Sequence, residues 1–340
     1  MRAYEIAPGS TGIDGVALVE RPDPVPGPYE ILVRVRAASI NYRDLGVISG
    51  RYFTGPVMRP TVPFSDGAGE VIDVGPKVER FAIGDAVCGC FFRDWFGGPL
   101  TDRIFQHQLG GGLDGVLAEQ VVLPESGAVV KPDHLTFEEA ATLPCAAVTA
   151  WNAVIHTGAT RPGDTVLVLG TGGVSLFALQ FAKLAGARVI VTSSSDDKLA
   201  RAETLGADVL VNYRKSPEWQ EEVLEHTGGH GVDLVVEVGG AGTLPRSLQA
   251  VKTAGQVAVI GVVAGGGSID PLPLIPKALR LQGIYVGSRD MFEDMNAAMT
   301  QHRLRPVIDE VLAFDDALDA YRALPQGNHF GKIVVNVSEP

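Results

Sequence analysis

Little in this chain suggests cross-linking, membrane insertion or nucleic-acid binding. Its 3 cysteines, Cys88, Cys90 and Cys145, cannot build a disulfide framework, and such sparse use suits a reducing compartment. No stretch approaches the run of about 20 apolar residues that a membrane-spanning helix needs. The longest apolar runs, such as 166–169, are short and end at glycine, as buried strands do. Met1-Arg-Ala-Tyr-Glu-Ile6 shows no charged-then-apolar leader, so secretion is not expected. Positive charge is also scarce: 28 Lys and Arg face 40 Asp and Glu, a formal charge of −12. A nucleic-acid partner would want a basic face instead. The expectation is a cytoplasmic protein with neither membrane nor nucleic-acid partner.

What remains is an ordinary globular composition, with 46% hydrophobic and 20% charged residues. A chain of 340 residues exceeds one comfortable core, so two domains are expected. The first third reads as antiparallel β. Val33 and Val35 alternate with Arg34 and Arg36, and Gly/Pro turns at Gly75-Pro76 and Gly84-Asp85 separate short strands. Thr136-Phe-Glu-Glu139 has the form of a helix-starting capping box. From residue 165 strands and helices alternate, which implies a parallel sheet with right-handed crossovers. Strands are predicted at 165–169, 188–192, 209–211, 233–238, 257–262 and 284–286, with helices near 173–185, 196–205, 217–226 and 243–253. This is a doubly wound α/β nucleotide-binding pattern. Beyond it, 291–302 and 315–324 look helical, and 332–337 reads as a final strand that returns to the first domain.

The strongest motif is Val166-Leu-Val-Leu-Gly170-Thr-Gly172-Gly173-Val-Ser175. A buried strand runs into a glycine turn and a helix start. Gly170 permits the turn, and Gly172 lets the backbone approach a pyrophosphate. The new helix offers free N–H groups and its positive end. Ser175 stands at the third glycine position, small enough for close packing. The second strand ends in Ser193-Ser194-Ser195 with no acid before Asp196, and Lys198 and Tyr213 follow. An NAD site would place a carboxylate there. Hydroxyls and one ammonium suit a 2′-phosphate, so NADPH is favoured over NADH, although a Ser-rich helix cap serves either.

The chain resembles the medium-chain dehydrogenase/reductase superfamily. The resemblance rests on Asn41-Tyr-Arg-Asp44, Pro63–Val71, Gly84–Val87, Leu143–Ala150, the glycine turn and His329-Phe-Gly-Lys332, in order along nearly the whole chain. It implies a Rossmann cofactor domain at 150–286 and a GroES-like β-barrel catalytic domain at 1–149 with 287–340. It also implies cofactor contacts at Thr149, Gly170, Thr171, Gly172, Gly173, Val174, Ser193, Ser194, Lys198, Tyr213, Gly239 and Lys332. The zinc alcohol dehydrogenases of the superfamily carry Cys where Asn41 stands and His-Glu where Ser65-Asp66 stand. Cys145 matches a third ligand position. One candidate ligand cannot make a catalytic zinc site, and Cys88 and Cys90 do not reproduce the four-cysteine lobe. The resemblance therefore points to the zinc-independent, quinone-oxidoreductase-like branch, with no metal.

Without a Lewis acid, hydrogen-bond donors must stabilise a developing oxyanion. Asn41, Tyr42 and Tyr52 are the candidate catalytic residues, and Asp44 reads as a loop-holding residue. Conjugated substrates spread incoming charge, which favours an apolar quinone or α,β-unsaturated carbonyl as the small-molecule partner. A zinc-free alcohol dehydrogenase or carbonyl reductase is the alternative, and an NADPH-binding sensor or structural protein a third. Phe91–Phe96 could wall an apolar substrate cleft or cover the barrel end. Gly110–Gly115 looks like a flexible connection. Gly283–Gly287 reads as an apolar edge strand, which predicts a homodimer.

Overall fold

Two periodicities in the chain become two compact units. The structure, a computed structural model, describes residues 1–263 and 265–338. Met1–Val148 with Gly287–Pro340 form one unit, and Thr149–Val286 the other.

In the first unit β1 (Arg2–Ile6) pairs antiparallel with β2 (Val16–Glu20). The long β3 (Glu30–Ser39) buries Val33 and Val35 and exposes Arg34, the alternation the sequence shows. β4 (Asp66–Val74), β5 (Ala86–Gly89), β6 (Gln120–Pro124) and β7 (Ala128–Val130) follow. Val33, Val35, Phe64, Leu117 and Tyr321 lie in the core that these strands enclose. The capping box forms as expected: Thr136 Oγ1 accepts from Glu139 N, and Glu139 Oε2 accepts from Thr136 N.

The second unit carries the Rossmann sheet. Its strands are β8 (Thr165–Leu169), β9 (Arg188–Ser193), β10 (Val209–Asn212), β11 (Val232–Glu237), β12 (Val251–Val259) and β13 (Arg280–Gly283). All are parallel, in the order β10-β9-β8-β11-β12-β13. Helices Gly173–Leu184, Asp196–Thr204, Trp219–His226 and Leu244–Ala250 lie between successive strands. The order turns back between β8 and β11, the position where such sheets bind ligands.

The chain then returns through the helix Arg289–His302 to β14 (Ile308–Ala313) and β15 (Lys332–Asn336) in the first unit. There the strand order is β14-β15-β3-β4-β5-β7, with β6 also on β3. Ser39 at the end of β3 pairs with Asp66 and with Val334. Three strand ends thus bring Asn41, Asp66 and Lys332 together.

Three expectations need correction. The outer strand of the parallel sheet is Arg280–Gly283, not 284–286: Ile284 and Val286 are buried, while the strand itself is largely polar and exposed. An apolar triplet reads alike as strand or buried loop, and the apolar edge invoked for dimerisation is absent. The fifth strand runs Val251–Val259 and its helix ends at Ala250, so Val262 lies outside it and exposed. Gly110–Gly115 is no flexible connection. A Cβ on Gly110 would meet the Phe64 carbonyl carbon at 2.5 Å, and one on Gly115 the Phe64 oxygen at 2.0 Å. Those glycines allow two backbones to touch. Phe64 itself sits at φ 64°, a left-handed conformation that costs a bulky residue roughly 1–3 kcal/mol.

Candidate active site

Each unit carries one cluster of the candidate residues. In the first, Asn41 sits where β3 runs into the helix Tyr42–Ile48, and its backbone N–H donates to Asp44 Oδ2 at 2.8 Å. Asp44 is thereby the loop-holding residue the sequence suggests. Arg43 donates to Leu109 O at 3.0 Å and to Gln108 Oε1 at 3.0 Å, and pairs with Asp44 at 3.3 Å. Its guanidinium lies 4.7 Å from the Tyr52 ring centroid and 4.9 Å from that of Phe91. Tyr52 is therefore a half-buried ring fixed by a buried cation. Tyr42, at the first turn of the helix, is 47% exposed. Of the aromatic insertion, Phe91, Phe92 and Trp95 are buried against one another and only Phe96 is exposed.

Lys332 is the surprise. Expected at the cofactor, it is buried in the first unit, where Nζ donates to Ile40 O and to Asn41 Oδ1, each at 2.6 Å. Asp66 beside it accepts from Ser65 Oγ at 2.6 Å and from Cys145 N at 3.0 Å. Burial raises the Asp66 carboxyl, against the opposing pull of Lys332, Ser65 and Asn41. Burial lowers the Lys332 ammonium, and Asp66 opposes that. Burial also pushes Asp44 up to about 6, although Arg43 and the Asn41 N–H hold it down. Two cations and two carboxylates thus share one buried network.

Zinc does not fit this network. The Asn41 oxygen is taken by an ammonium, and both Asp66 oxygens are taken by donors. Burial, and then Asp66, push the Cys145 thiol up. Among the described residues no group of three or more His, Cys, Asp and Glu could hold a metal ion.

In the second unit the glycine turn has the geometry its sequence implies. Gly170 adopts φ 76°, and its N–H donates to Thr192 O at 2.9 Å. A Cβ on Gly172 would meet nothing within 4 Å, so the approach to the helix start is open. Ser175 shows how the third glycine is replaced: buried at 2% exposure, its hydroxyl donates to Leu169 O at 2.7 Å. Thr171 is buried beside the turn; Gly173 and Val174 open the helix Gly173–Leu184, whose first amides suit a pyrophosphate. Thr149 lies buried between π-type turns at Leu143–Ala147 and Asn152–His156.

At the next strand end, Ser193 is buried and Asn212 pairs with it across β9 and β10, so that Tyr213 N donates to Ser193 O at 3.1 Å. Ser195 Oγ accepts from Lys198 N at 3.4 Å and caps the helix Asp196–Thr204. Asp196, the acid that would weaken a phosphate pocket, is drawn off by Lys215 at 2.6 Å and Asn212 at 2.7 Å. Those contacts lower its carboxyl, Lys215 first. Lys215 escaped the sequence reading, as did Glu237. That buried carboxylate closes β11 and accepts from Gly239 N at 2.7 Å, Gly240 N at 3.1 Å, Thr243 Oγ1 at 2.6 Å and Ser247 Oγ. It ties down the loop bearing Gly239. An acid ending an apolar strand before Gly-Gly was the signal available.

Comparison with known proteins completes the description. Residues 27–133 match the family described as alcohol dehydrogenase GroES-like domain, and 173–301 the family described as zinc-binding dehydrogenase. A zinc-type alcohol dehydrogenase-like protein of Schizosaccharomyces pombe is 45% identical over 317 residues, 91% of either chain. A solved candidate alcohol dehydrogenase from Sinorhizobium meliloti 1021 is 43% identical at TM-score 0.91, covering 99% of both chains. A solved NAD-dependent alcohol dehydrogenase is 36% identical at TM-score 0.90, covering 99% of this chain and 100% of that one. Further off are an acryloyl-coenzyme A reductase of Sulfurisphaera tokodaii at 28% identity, a Pseudomonas syringae quinone oxidoreductase at 28% and a mycobacterial protein solved with NADPH at 27%.

Proposed function

The chain belongs to the medium-chain dehydrogenase/reductase superfamily, among its zinc-type alcohol dehydrogenase-like oxidoreductases, and on that premise we propose that it is an NADPH-dependent, zinc-independent reductase of quinones or α,β-unsaturated carbonyl compounds. One observation carries the reading. The positions that bear zinc ligands in related dehydrogenases here hold Asn41, Ser65, Asp66 and Cys145, tied to Lys332 and to one another.

Bound NADPH supplies the hydride. The turn from Gly170 to Ser175 holds its pyrophosphate, and Ser193, Ser194, Lys198 and Tyr213, with Lys215 drawing Asp196 aside, take the 2′-phosphate. Thr149 and the Gly239 loop flank the nicotinamide half. Asn41 donates a hydrogen bond to the substrate oxygen, Tyr52 orients the ring system beneath Arg43, and Tyr42 is the exposed second donor. One neutral amide is a weak substitute for a Lewis acid. A conjugated carbonyl needs less, because its own π system spreads the charge. The acryloyl-coenzyme A reductase and the quinone oxidoreductase among the relatives agree with this class, and the NADPH-bound one with the cofactor.

A second reading, dehydrogenation of simple alcohols without metal, is favoured by the names of the relatives at 36–45% identity. Purified protein with NADPH and a panel of p-benzoquinone, cyclohexenone and crotonyl-coenzyme A decides. Turnover of any of these is expected. Activity confined to plain aldehydes, ketones or secondary alcohols selects the second reading. Tight NADPH binding without turnover on either panel leaves a nucleotide sensor. The 2′-phosphate assignment is checked separately: Lys198→Ala should weaken NADPH about tenfold and leave NADH unchanged.

A further inference from the structure

Asn41 is 8% exposed, yet its Nδ2 has no partner in hydrogen-bond geometry among the described residues. A buried donor left unmade carries an uncompensated desolvation penalty, so its persistence asks for a reason. Which end of the amide is which is settled by chemistry. An ammonium has donors only, so the atom 2.6 Å from Lys332 Nζ must be the oxygen. Turning the amide over would set NH2 against NH3+. Lys332 is itself pinned by Ile40 O, and the Asn41 backbone by Asp44. The amide is therefore gripped at its oxygen and at its backbone. Its Nδ2 lies near the Asp66 carboxylate, close enough to help hold it ionised but without forming a hydrogen bond.

We propose that Lys332 is a positioning residue: its ammonium locks the Asn41 amide so that the Nδ2 hydrogens are kept for the oxygen of the substrate carbonyl. The inference rests on the reading of Asn41 as the donor to that oxygen. It also gives Lys332 a task other than the cofactor contact its sequence position suggests. A donor fixed before the reaction does not have to reorganise while negative charge develops on oxygen, which is where such groups gain their effect. The lysine works through Asn41 and does not itself touch substrate.

The test is a double-mutant cycle on the full chain, with NADPH and p-benzoquinone, following kcat, KM, NADPH affinity by tryptophan quenching, and thermal midpoint. Lys332→Met and Asn41→Ala should each lower kcat on the order of 100-fold while NADPH affinity stays within about threefold. The double variant should be little worse than either single, because both remove one device. Lys332→Arg, which also can only donate, should recover most of the rate. Two results overturn the inference: losses that multiply in the double variant, or a Lys332→Met protein that keeps kcat and loses NADPH affinity. If Lys332→Met does not fold, Asn41→Asp decides. It preserves an acceptor for Lys332 and removes the donor, so it should hold its thermal midpoint and lose kcat; full activity would reject the proposal. Asn41→Ala with intact activity would instead reject Asn41 as the donor, and with it the functional reading of this cluster.

Discussion

Gly170 and Gly172 stand two residues apart and are glycines for different reasons. Gly170 needs its left-handed φ of 76°, which costs other residues roughly 1–2 kcal/mol. Gly172 has φ −80° and no described atom within 4 Å of an added Cβ, so neither backbone nor packing asks for glycine there, whereas the proposed pyrophosphate would. Gly170→Ala should therefore lower the thermal midpoint. Gly172→Ala should leave it within a degree or two and weaken NADPH at least about tenfold. Equal affinities for parent and Gly172→Ala would remove this turn from the cofactor site. Asp44 gives a pH prediction. Its folded carboxyl is raised to about 6 above an ordinary value of 3.8, so the folded state binds the extra proton. That contribution is full below the unfolded value and fades as pH rises through about 6. Comparing parent with Asp44→Asn, the parent should gain about 1 kcal/mol of relative stability between pH 7.5 and pH 5. Denaturation curves with no such drift would show that Asp44 titrates normally.

At the scale of elements, strand ends do the positioning. The C-terminal end of β11 delivers Glu237, whose four hydrogen bonds hold a loop otherwise rich in glycine. Leu at that position removes the acceptor from two backbone N–H groups and two hydroxyls, at roughly 1–3 kcal/mol for a buried donor left unmade. Glu237→Leu should raise the NADPH dissociation constant several-fold while Asn41-dependent chemistry on bound cofactor continues at nearly the parental kcat. A cofactor affinity equal to the parent's would show that the loop does not need its anchor. The same scale explains where reading the chain went astray. The edge strand was expected at 284–286 because those residues are apolar, yet Arg280–Gly283 makes the ladder to β12. Pairing follows register with the neighbouring strand, which a local pattern does not contain.

At the scale of the molecule, the proposed function assigns the nucleotide to the second unit and the substrate oxygen to the first. The metal-free reading has a direct check: activity should survive prolonged chelation, and purified protein should carry well below one zinc per chain. Loss of activity on chelation, restored by zinc, would sink it. A homodimer remains the expected assembly, now supported by exposed Val262, Val263, Leu272 and Ile275 between β12 and β13 and not by an apolar edge strand. A monomer in light scattering at micromolar concentration would remove it.

Local rules reached a long way into this chain. Alternation by two, recurrence by 3.6 and a glycine turn between them specified the parallel sheet, its crossover helices and the turn for a pyrophosphate, because each depends on residues within one element or its neighbour. Ser175 could be accepted there from size alone. The site chemistry was another matter. Asn41 and Lys332 touch across 291 residues, and no spacing rule relates them. Only the convergence of β3, β4 and β15 brings an ammonium against that amide and a carboxylate beside both. The resemblance assigned Lys332 to the cofactor; its contact with Asn41 follows from the pairing of Ser39 with Val334 and Asp66, which no local pattern contains.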